Sequence, residues 1–67
     1  MVKKFEVEKD FHNTRFDRWF KNKVLDIPQG LIEKIIRKNQ AKVNGKKTKS
    51  SYRVKENDII EIFNIDK

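Results

Sequence analysis

Nine basic side chains and no acidic one lie between Lys34 and Lys55, which makes this block the part of the sequence best suited to binding an anion. Of 17 bases and 10 acids in the 67-residue chain, the other 45 residues hold eight bases and all the acids, so the net charge of +7 divides into +9 and −2. A block without acids repels itself, and a polyanion relieves that repulsion. Nucleic acid is the first candidate partner and an anionic membrane surface the second, with an ordinary solvated face as the plainest alternative.

Other chemistry has little support in the sequence. His12 is the single histidine, cysteine is absent, and no carboxylates stand at metal-ligand spacing. No glycine-rich phosphate loop is present either. A chain of this length buries only about 60% of its unfolded surface, too little for a substrate pocket of its own. We therefore expect no catalytic residue, no metal and no cofactor.

Local patterns in the sequence predict the elements that position the basic block. Phe5–Glu8 alternates apolar and acidic residues, as in a half-exposed strand. Thr14 followed by Asp17 matches a capping box and predicts the start of a helix with an apolar stripe. That stripe is Phe16, Trp19, Phe20 and Val24, and a second helix after Pro28 carries Leu31, Ile32, Ile35 and Ile36.

The remaining patterns predict a small antiparallel sheet. Asn39 suits the left-handed end of the second helix, and Asn44-Gly45 is a strong hairpin signal between short strands. Ala41 and Val43 are predicted to face the core. A second turn at 55–58 leads into the β-rich run 59–63. The fold class is therefore α+β, with two packed helices against a small antiparallel sheet that carries a basic hairpin.

Aromatic residues indicate how such a surface would bind. Five of the seven aromatics are assigned to the core, and only Tyr52 lies inside the basic block. A single-strand binder usually exposes several rings on which bases stack. The sequence therefore favours recognition of a folded RNA by its backbone and shape.

These segments resemble the S4 RNA-binding domain. The resemblance rests on Arg15-Phe16-Asp17-Arg18-Trp19, on the second helix and on the hairpin segment 40–46, and it covers about residues 5–62. The usual signature has glycine where this chain has Asn39 and valine where it has Ala41. By position, and with the neighbouring bases of the block, the resemblance implies an RNA-binding set of Arg15, Arg18, Lys34, Arg37, Lys38, Lys42, Asn44, Lys46, Lys47 and Lys49. For Arg15 a structural role at the helix start competes with RNA contact.

Residues 27–32 further resemble the N-terminal S4 domain of bacterial ribosomal large-subunit pseudouridine synthases. This resemblance implies that the chain itself is no enzyme but belongs to a parent protein whose absent domain isomerises uridine in large-subunit rRNA. Arg15-Phe16-Asp17 also looks like the catalytic Arg-Leu-Asp of that absent domain. The catalytic motif is usually preceded by histidine, whereas Thr14 stands here, so we assign Asp17 to capping.

From these resemblances we expect an S4-like domain over residues 1–63 and the start of a linker at 64–67. The expected partner is RNA, specifically large-subunit rRNA, and the expected state is a monomeric cytoplasmic protein without a membrane span. A rival interpretation stays open, in which the chain is a standalone ribosome-interaction module with no enzyme attached.

Overall fold

The computed structural model describes residues 2–63, and residues 64–67, where a linker is predicted to begin, lie outside this range. The first half of the chain contains β1 (Val2–Glu6), a 3₁₀ turn (Lys9–Phe11), β2 (Thr14–Arg15), α1 (Phe16–Lys23) and α2 (Gln29–Arg37). The second half contains β3 (Ala41–Val43), β4 (Lys46–Lys47), β5 (Arg53–Val54) and β6 (Ile59–Phe63).

All strand pairs are antiparallel and form two sheets. The larger has the order β1-β6-β3-β4, so the hairpin strand β3 lies inside the sheet and β4 lies at its edge. The smaller pairs β2 with β5, just before α1 begins. With two helices packed on this framework, the predicted α+β fold is confirmed.

The core lies between the helices and one face of the larger sheet. Its members, all 4% exposed or less, are Val7, Phe16, Trp19, Phe20, Ile32, Ile36, Ala41, Val43, Val54, Ile60 and Ile62. Trp19 packs edge-on against Phe5, with ring centroids 5.7 Å apart. The predicted inward positions of Ala41 and Val43 are confirmed, which leaves the basic hairpin tied to the core by alternate residues.

One predicted core residue is placed wrongly by the sequence pattern. Leu31 is 49% exposed, whereas Ile32 and Ile36 are buried. In a helix, position 31 lies close to positions 34 and 38 on the side away from the core. The apolar stripe of α2 is therefore narrower than the run of apolar residues indicates.

The predicted capping box is also wrong. Thr14 lies in β2 opposite Val54, and Arg15, not Thr14, precedes the first helical residue. The first amides of α1 instead donate to a neighbouring loop, Phe16 N–H to the Tyr52 carbonyl at 2.7 Å and Asp17 N–H to the Ser50 carbonyl at 3.2 Å. The start of α1 is thus fixed by a segment more than 30 residues later, which no local pattern reports.

The turns follow the sequence closely. Asn44 and Gly45 have φ of 52° and 79°, as the predicted hairpin turn requires, and Asn57 has φ of 76° in the second turn. Asn39 has φ of 65° two residues after the end of α2, so the chain leaves the helix in the left-handed conformation predicted for that position. The approach to β3 and the hairpin turn are therefore both set by residues that tolerate positive φ.

A matched pair of substitutions at Asn39 tests this assignment. Because φ is positive there, Asn39→Ala is expected to lower the free energy of unfolding by about 1 kcal/mol, since alanine has no local hydrogen bond to offset the strain. Asn39→Gly should leave it within about 0.5 kcal/mol, because glycine adopts this conformation without strain. Urea denaturation of the three proteins gives the comparison, and equal stability of the two variants would contradict it.

Candidate nucleic-acid interface

The structure brings three of the predicted RNA-binding residues into one groove between the end of α2 and the hairpin. We call it the hairpin concavity. It is lined by Glu33, Ile36, Arg37, Lys47, Thr48, Lys49, Ser50 and Ser51. Arg37 comes from the last turn of α2, and Lys47 and Lys49 come from β4 and the segment after it. Residues ten or more positions apart in the sequence therefore present their charges to the same space.

The charge in this groove is poorly compensated by the protein. Within residues 2–63, no carboxylate oxygen lies within 4.0 Å of a charged nitrogen of Arg37, Lys47 or Lys49. Glu33 is the one acid in the lining, and its Oε2 accepts a hydrogen bond from Gln29 Nε2 at 2.9 Å. Thr48 adds a shielded hydroxyl with no hydrogen-bond partner among the described residues. The three uncompensated cations favour a ligand with phosphate oxygens.

A hydrogen-bond centre at Asp58 fixes the hairpin turn against β6. Its Oδ1 accepts from Asn44 Nδ2 at 3.0 Å, and its Oδ2 accepts from Tyr52 Oη at 2.8 Å and Lys55 N–H at 2.9 Å. Asn44 also accepts from Ile59 N–H at 2.9 Å. Two of these hydrogen bonds hold the hairpin turn through the Asn44 side chain, which keeps the basic hairpin in one orientation relative to the sheet.

This arrangement changes the expected role of Asn44. Its backbone N–H is not available to phosphate, because it donates to the Ile59 carbonyl at 2.7 Å. Both ends of its side-chain amide also have partners inside the protein. Asn44 therefore shapes the turn, and a direct RNA contact from it stays a prediction.

Asp17 forms a second hydrogen-bond centre, at the start of α1. It is 4% exposed, and its carboxylate accepts from Nε and Nη2 of Arg15, from Arg18 N–H at 2.7 Å and from Gln29 Nε2 at 2.6 Å. The Gln29 side chain thus links Asp17 to Glu33. The carboxylate of Asp17 is therefore occupied by structural partners from three residues.

Both aspartates have a lowered pKa in the folded protein. Burial acts to raise the pKa of Asp17, but hydrogen bonds from Arg15, Gln29 and Arg18 outweigh it. Burial likewise opposes the shift at Asp58, where hydrogen bonds from Lys55, Tyr52 and Asn44 lower the pKa. Burial, together with the same contact to Asp58, raises the pKa of Tyr52.

These shifts predict an acid-sensitive fold. A carboxylate with a folded pKa below its unfolded value stabilises the protein at neutral pH, and that contribution is lost as pH falls through the folded pKa. We expect the unfolding midpoint temperature to fall as the pH drops from neutral through the lowered pKa values of Asp17 and Asp58. Asp58→Asn should be less stable at pH 7 and show a shallower acid decline, because one of the two groups no longer titrates. An identical acid decline in both proteins would contradict the assignment to Asp58.

Arg15 and Arg18 lie around a second depression, which we call the α1 concavity. Its charged lining residues are Arg15, Asp17, Arg18, Lys21 and Arg53. The RNA-binding residues predicted from the sequence did not include Lys21 and Arg53. Arg53 belongs to the acid-free block, but only the β2–β5 pairing, which puts it opposite Arg15, reveals where it lies.

The other predicted residues lie outside both concavities. Lys34 and Lys38 are exposed on α2, on the side of Leu31 rather than that of the hairpin. Lys42 lies on the face of the sheet away from the core, with Nζ 5.5 Å from the centre of the Phe63 ring. Lys46 is exposed on the edge strand β4, opposite Val43. The predicted RNA-binding residues therefore lie on several faces of the molecule. Several of them come close together only in the two concavities.

Residues 2–63 contain neither an exposed aromatic ring nor a long apolar helix. All seven aromatic side chains are buried or half-buried, and Tyr52 is held by Asp58. Across residues 2–63, no helix has the length and apolar character needed to cross a bilayer. The two concavities are lined mainly by cations, hydroxyls and amides.

Comparisons with known proteins agree with these observations. A model of the S4 domain family matches residues 14–60. Ribosomal large subunit pseudouridine synthase C of Vibrio parahaemolyticus is 33% identical over 57 residues, which are 85% of this chain and 18% of that protein. The corresponding synthases of Haemophilus ducreyi and Buchnera aphidicola are 33% and 32% identical over 91% and 84% of the chain, and over 19% and 18% of their own lengths.

The chain therefore spans about a fifth of the length of these curated relatives. No solved structure matches it with statistical significance. The family match covers more than half of the chain and includes α1, α2, the hairpin and, apart from Asn13, the lining residues of both concavities. The resemblance predicted from the sequence is confirmed, and this chain belongs to the S4 domain family of RNA-binding modules.

Proposed function

We propose that this S4 domain binds structured RNA of the large ribosomal subunit and docks an attached pseudouridine synthase domain onto it. The curated relatives are pseudouridine synthases of that subunit, and each is about five times longer than the matched segment. A tethered RNA-binding module raises the effective concentration of a catalytic domain near its target. Residues 64–67 would then begin the linker, following a domain that occupies residues 1–63.

The observation that carries the RNA-binding part is the uncompensated charge of the hairpin concavity. Arg37, Lys47 and Lys49 converge there without an ion-pair partner among residues 2–63. Holding like charges together costs free energy in the unbound protein, and a phosphate backbone recovers that cost while releasing condensed counterions. The rigid hairpin keeps the charges in place before binding, which reduces the entropy lost on association.

The preference for folded RNA follows from the aromatic residues. Stacking of single-stranded bases requires exposed ring faces, and each of the seven rings is at least half-buried. A fixed pattern of cations instead matches a fixed pattern of phosphates. Double-stranded and folded RNA present such a pattern, whereas a flexible strand must be ordered first.

Binding to a large-subunit rRNA hairpin fragment, measured against salt concentration, tests the RNA part. With about four to six phosphate contacts we expect log Kd to rise with log salt with a slope of about 3.5 to 5.5. A single-stranded oligonucleotide of the same length is the matched control and should bind at least several-fold more weakly. Absence of binding at about 50 mM salt, or tighter binding of the single strand, would overturn the proposal.

The docking part is tested by the gene sequence beyond Lys67. We expect an open reading frame that continues into a domain containing His-Arg-Leu-Asp, the motif that the resemblance implies for the synthase. A stop codon directly after Lys67 would remove the docking role. RNA binding by a standalone ribosome-interaction module would then be the remaining function.

A further inference from the structure

In the α1 concavity, the positive charges of the lining residues outnumber the negative charges that could neutralise them. Its four cations are Arg15, Arg18, Lys21 and Arg53, and its one carboxylate is Asp17. Asp17 already pairs with Arg15, with Nη2 to Oδ2 at 3.1 Å and Nε to Oδ1 at 3.3 Å. Lys21 has only the 85% exposed carboxylate of Asp26, 3.9 Å away, among residues 2–63.

The strand pairing makes this charge costly. Arg15 and Arg53 are direct partners across β2 and β5, and like charges in that position destabilise a strand pair. Asp17 offsets the charge of Arg15, but Arg53 donates to a neutral acceptor, the Asn13 carbonyl at 3.2 Å from its Nη1. The Arg15 guanidinium is thus neutralised, whereas the Arg53 guanidinium is held in place with its charge uncompensated.

From this arrangement we infer that the α1 concavity is a second phosphate-binding site, in which Arg53, Arg18 and Lys21 hold the RNA backbone. The inference rests on the proposed function, because it takes the ligand to be the same RNA. It adds Lys21 and Arg53 to the interface and assigns Arg15 to holding Asp17. Arg53 is suited to a phosphate because its planar guanidinium donates two parallel hydrogen bonds to one phosphate group.

The two concavities share a wall, which allows one RNA to occupy both. Gln29 lines the α1 concavity and Glu33 the hairpin concavity, and Gln29 Nε2 contacts both Glu33 and Asp17. A second link between the concavities is the hydrogen bond from Asp17 N–H to the carbonyl of Ser50, a lining residue of the hairpin concavity. The RNA backbone therefore passes the start of α1 as well as the hairpin.

Single neutralising substitutions separate this inference from the proposed function. The probe is the same large-subunit rRNA hairpin fragment, and the variants are Arg53→Gln and Lys21→Gln, with Arg37→Gln reporting on the hairpin concavity. Lys9→Gln is the matched control, because it removes one exposed positive charge from a site lined by Glu6, Glu8 and Glu56, away from both concavities. Lys21 is an exposed helical residue, so its substitution by glutamine preserves the fold even if Arg53→Gln is less stable.

We expect Arg53→Gln and Lys21→Gln each to weaken binding roughly three- to tenfold at about 0.1 M salt and to reduce the salt slope by about 0.7 to 0.9. Lys9→Gln should change neither value. If Arg37→Gln weakens binding while Lys21→Gln and Arg53→Gln match the wild type, the second site is wrong and the proposed function stands. If the wild-type chain does not bind the fragment at all, both fail together.

Discussion

Reversing the charges of Arg37 and Lys47 together is expected to weaken binding to a structured rRNA fragment by roughly a hundredfold at about 0.1 M salt. Each reversal removes a phosphate contact and adds a repulsive carboxylate at the same place. Both side chains are exposed and lack ion-pair partners among residues 2–63, so the free energy of unfolding should change by less than about 0.5 kcal/mol. Fluorescence anisotropy with the labelled fragment, together with urea denaturation, measures the two effects.

Glu33→Gln is the control, because it is expected to change the RNA affinity in the opposite direction. Glu33 lines the same concavity, and glutamine retains a side-chain oxygen that can accept the hydrogen bond from Gln29. Removing this negative charge should tighten RNA binding about two- to fivefold. If the double reversal and Glu33→Gln both leave affinity unchanged, the hairpin concavity does not contact RNA.

Asp17→Ala is expected to cost about 2 to 3 kcal/mol of unfolding free energy, because the buried carboxylate accepts hydrogen bonds from three different residues. The substitution leaves the Arg18 N–H, the Gln29 amide and the Arg15 guanidinium without this acceptor. For a domain of this size, a loss of that magnitude lowers the unfolding temperature by roughly 10 to 20 °C. Asp17→Ala also removes the acceptor of the Gln29 hydrogen bond that links the two concavities.

Asp26→Ala provides the matched control for this prediction. Asp26 is also an acid paired with a base, but its carboxylate is 85% exposed and 3.9 Å from Lys21. Its removal should cost less than about 0.5 kcal/mol. Thermal unfolding followed by circular dichroism compares the variants, and equal destabilisation by Asp17→Ala and Asp26→Ala would refute the structural role assigned to Asp17.

Local patterns predicted the parts of this fold that local energetics decide. Asn39, Asn44 and Gly45 occupy positive φ because few residue types tolerate it, so their positions could be read directly from the sequence. The alternation of Ala41 and Val43 gave the inward face of β3 in the same way. The hairpin and its basic outer residues were therefore predictable.

Contacts between distant segments explain what the sequence did not reveal. The start of α1 depends on carbonyls of Ser50 and Tyr52, so a capping box at Thr14 was a reasonable but wrong interpretation. Leu31 continued an apolar run, yet the helix turns it away from the core. Arg53 reaches the α1 concavity only through the two-residue ladder with β2, a pairing too short to leave a periodic signal.

The same distinction applies to the RNA-binding set. Charge along the chain identified the block from Lys34 to Lys55, but it did not indicate which of its bases share a surface. The structure groups Arg37 with Lys47 and Lys49, and it separates them from Lys34 and Lys38 on the outer side of α2. Position on a helix or strand face, rather than position in the block, selects the residues that meet in a concavity.

An NMR titration tests the central claim most directly, because every backbone amide of this small domain reports separately. Adding the large-subunit rRNA hairpin fragment to ¹⁵N-labelled protein should shift amides at 13–15, 17, 18, 21, 37, 47–51 and 53, which line the two concavities. Amides of the 3₁₀ turn Lys9–Phe11 and of β1 should shift little. Saturable shifts concentrated on those two elements, with the concavities unchanged, would contradict the account.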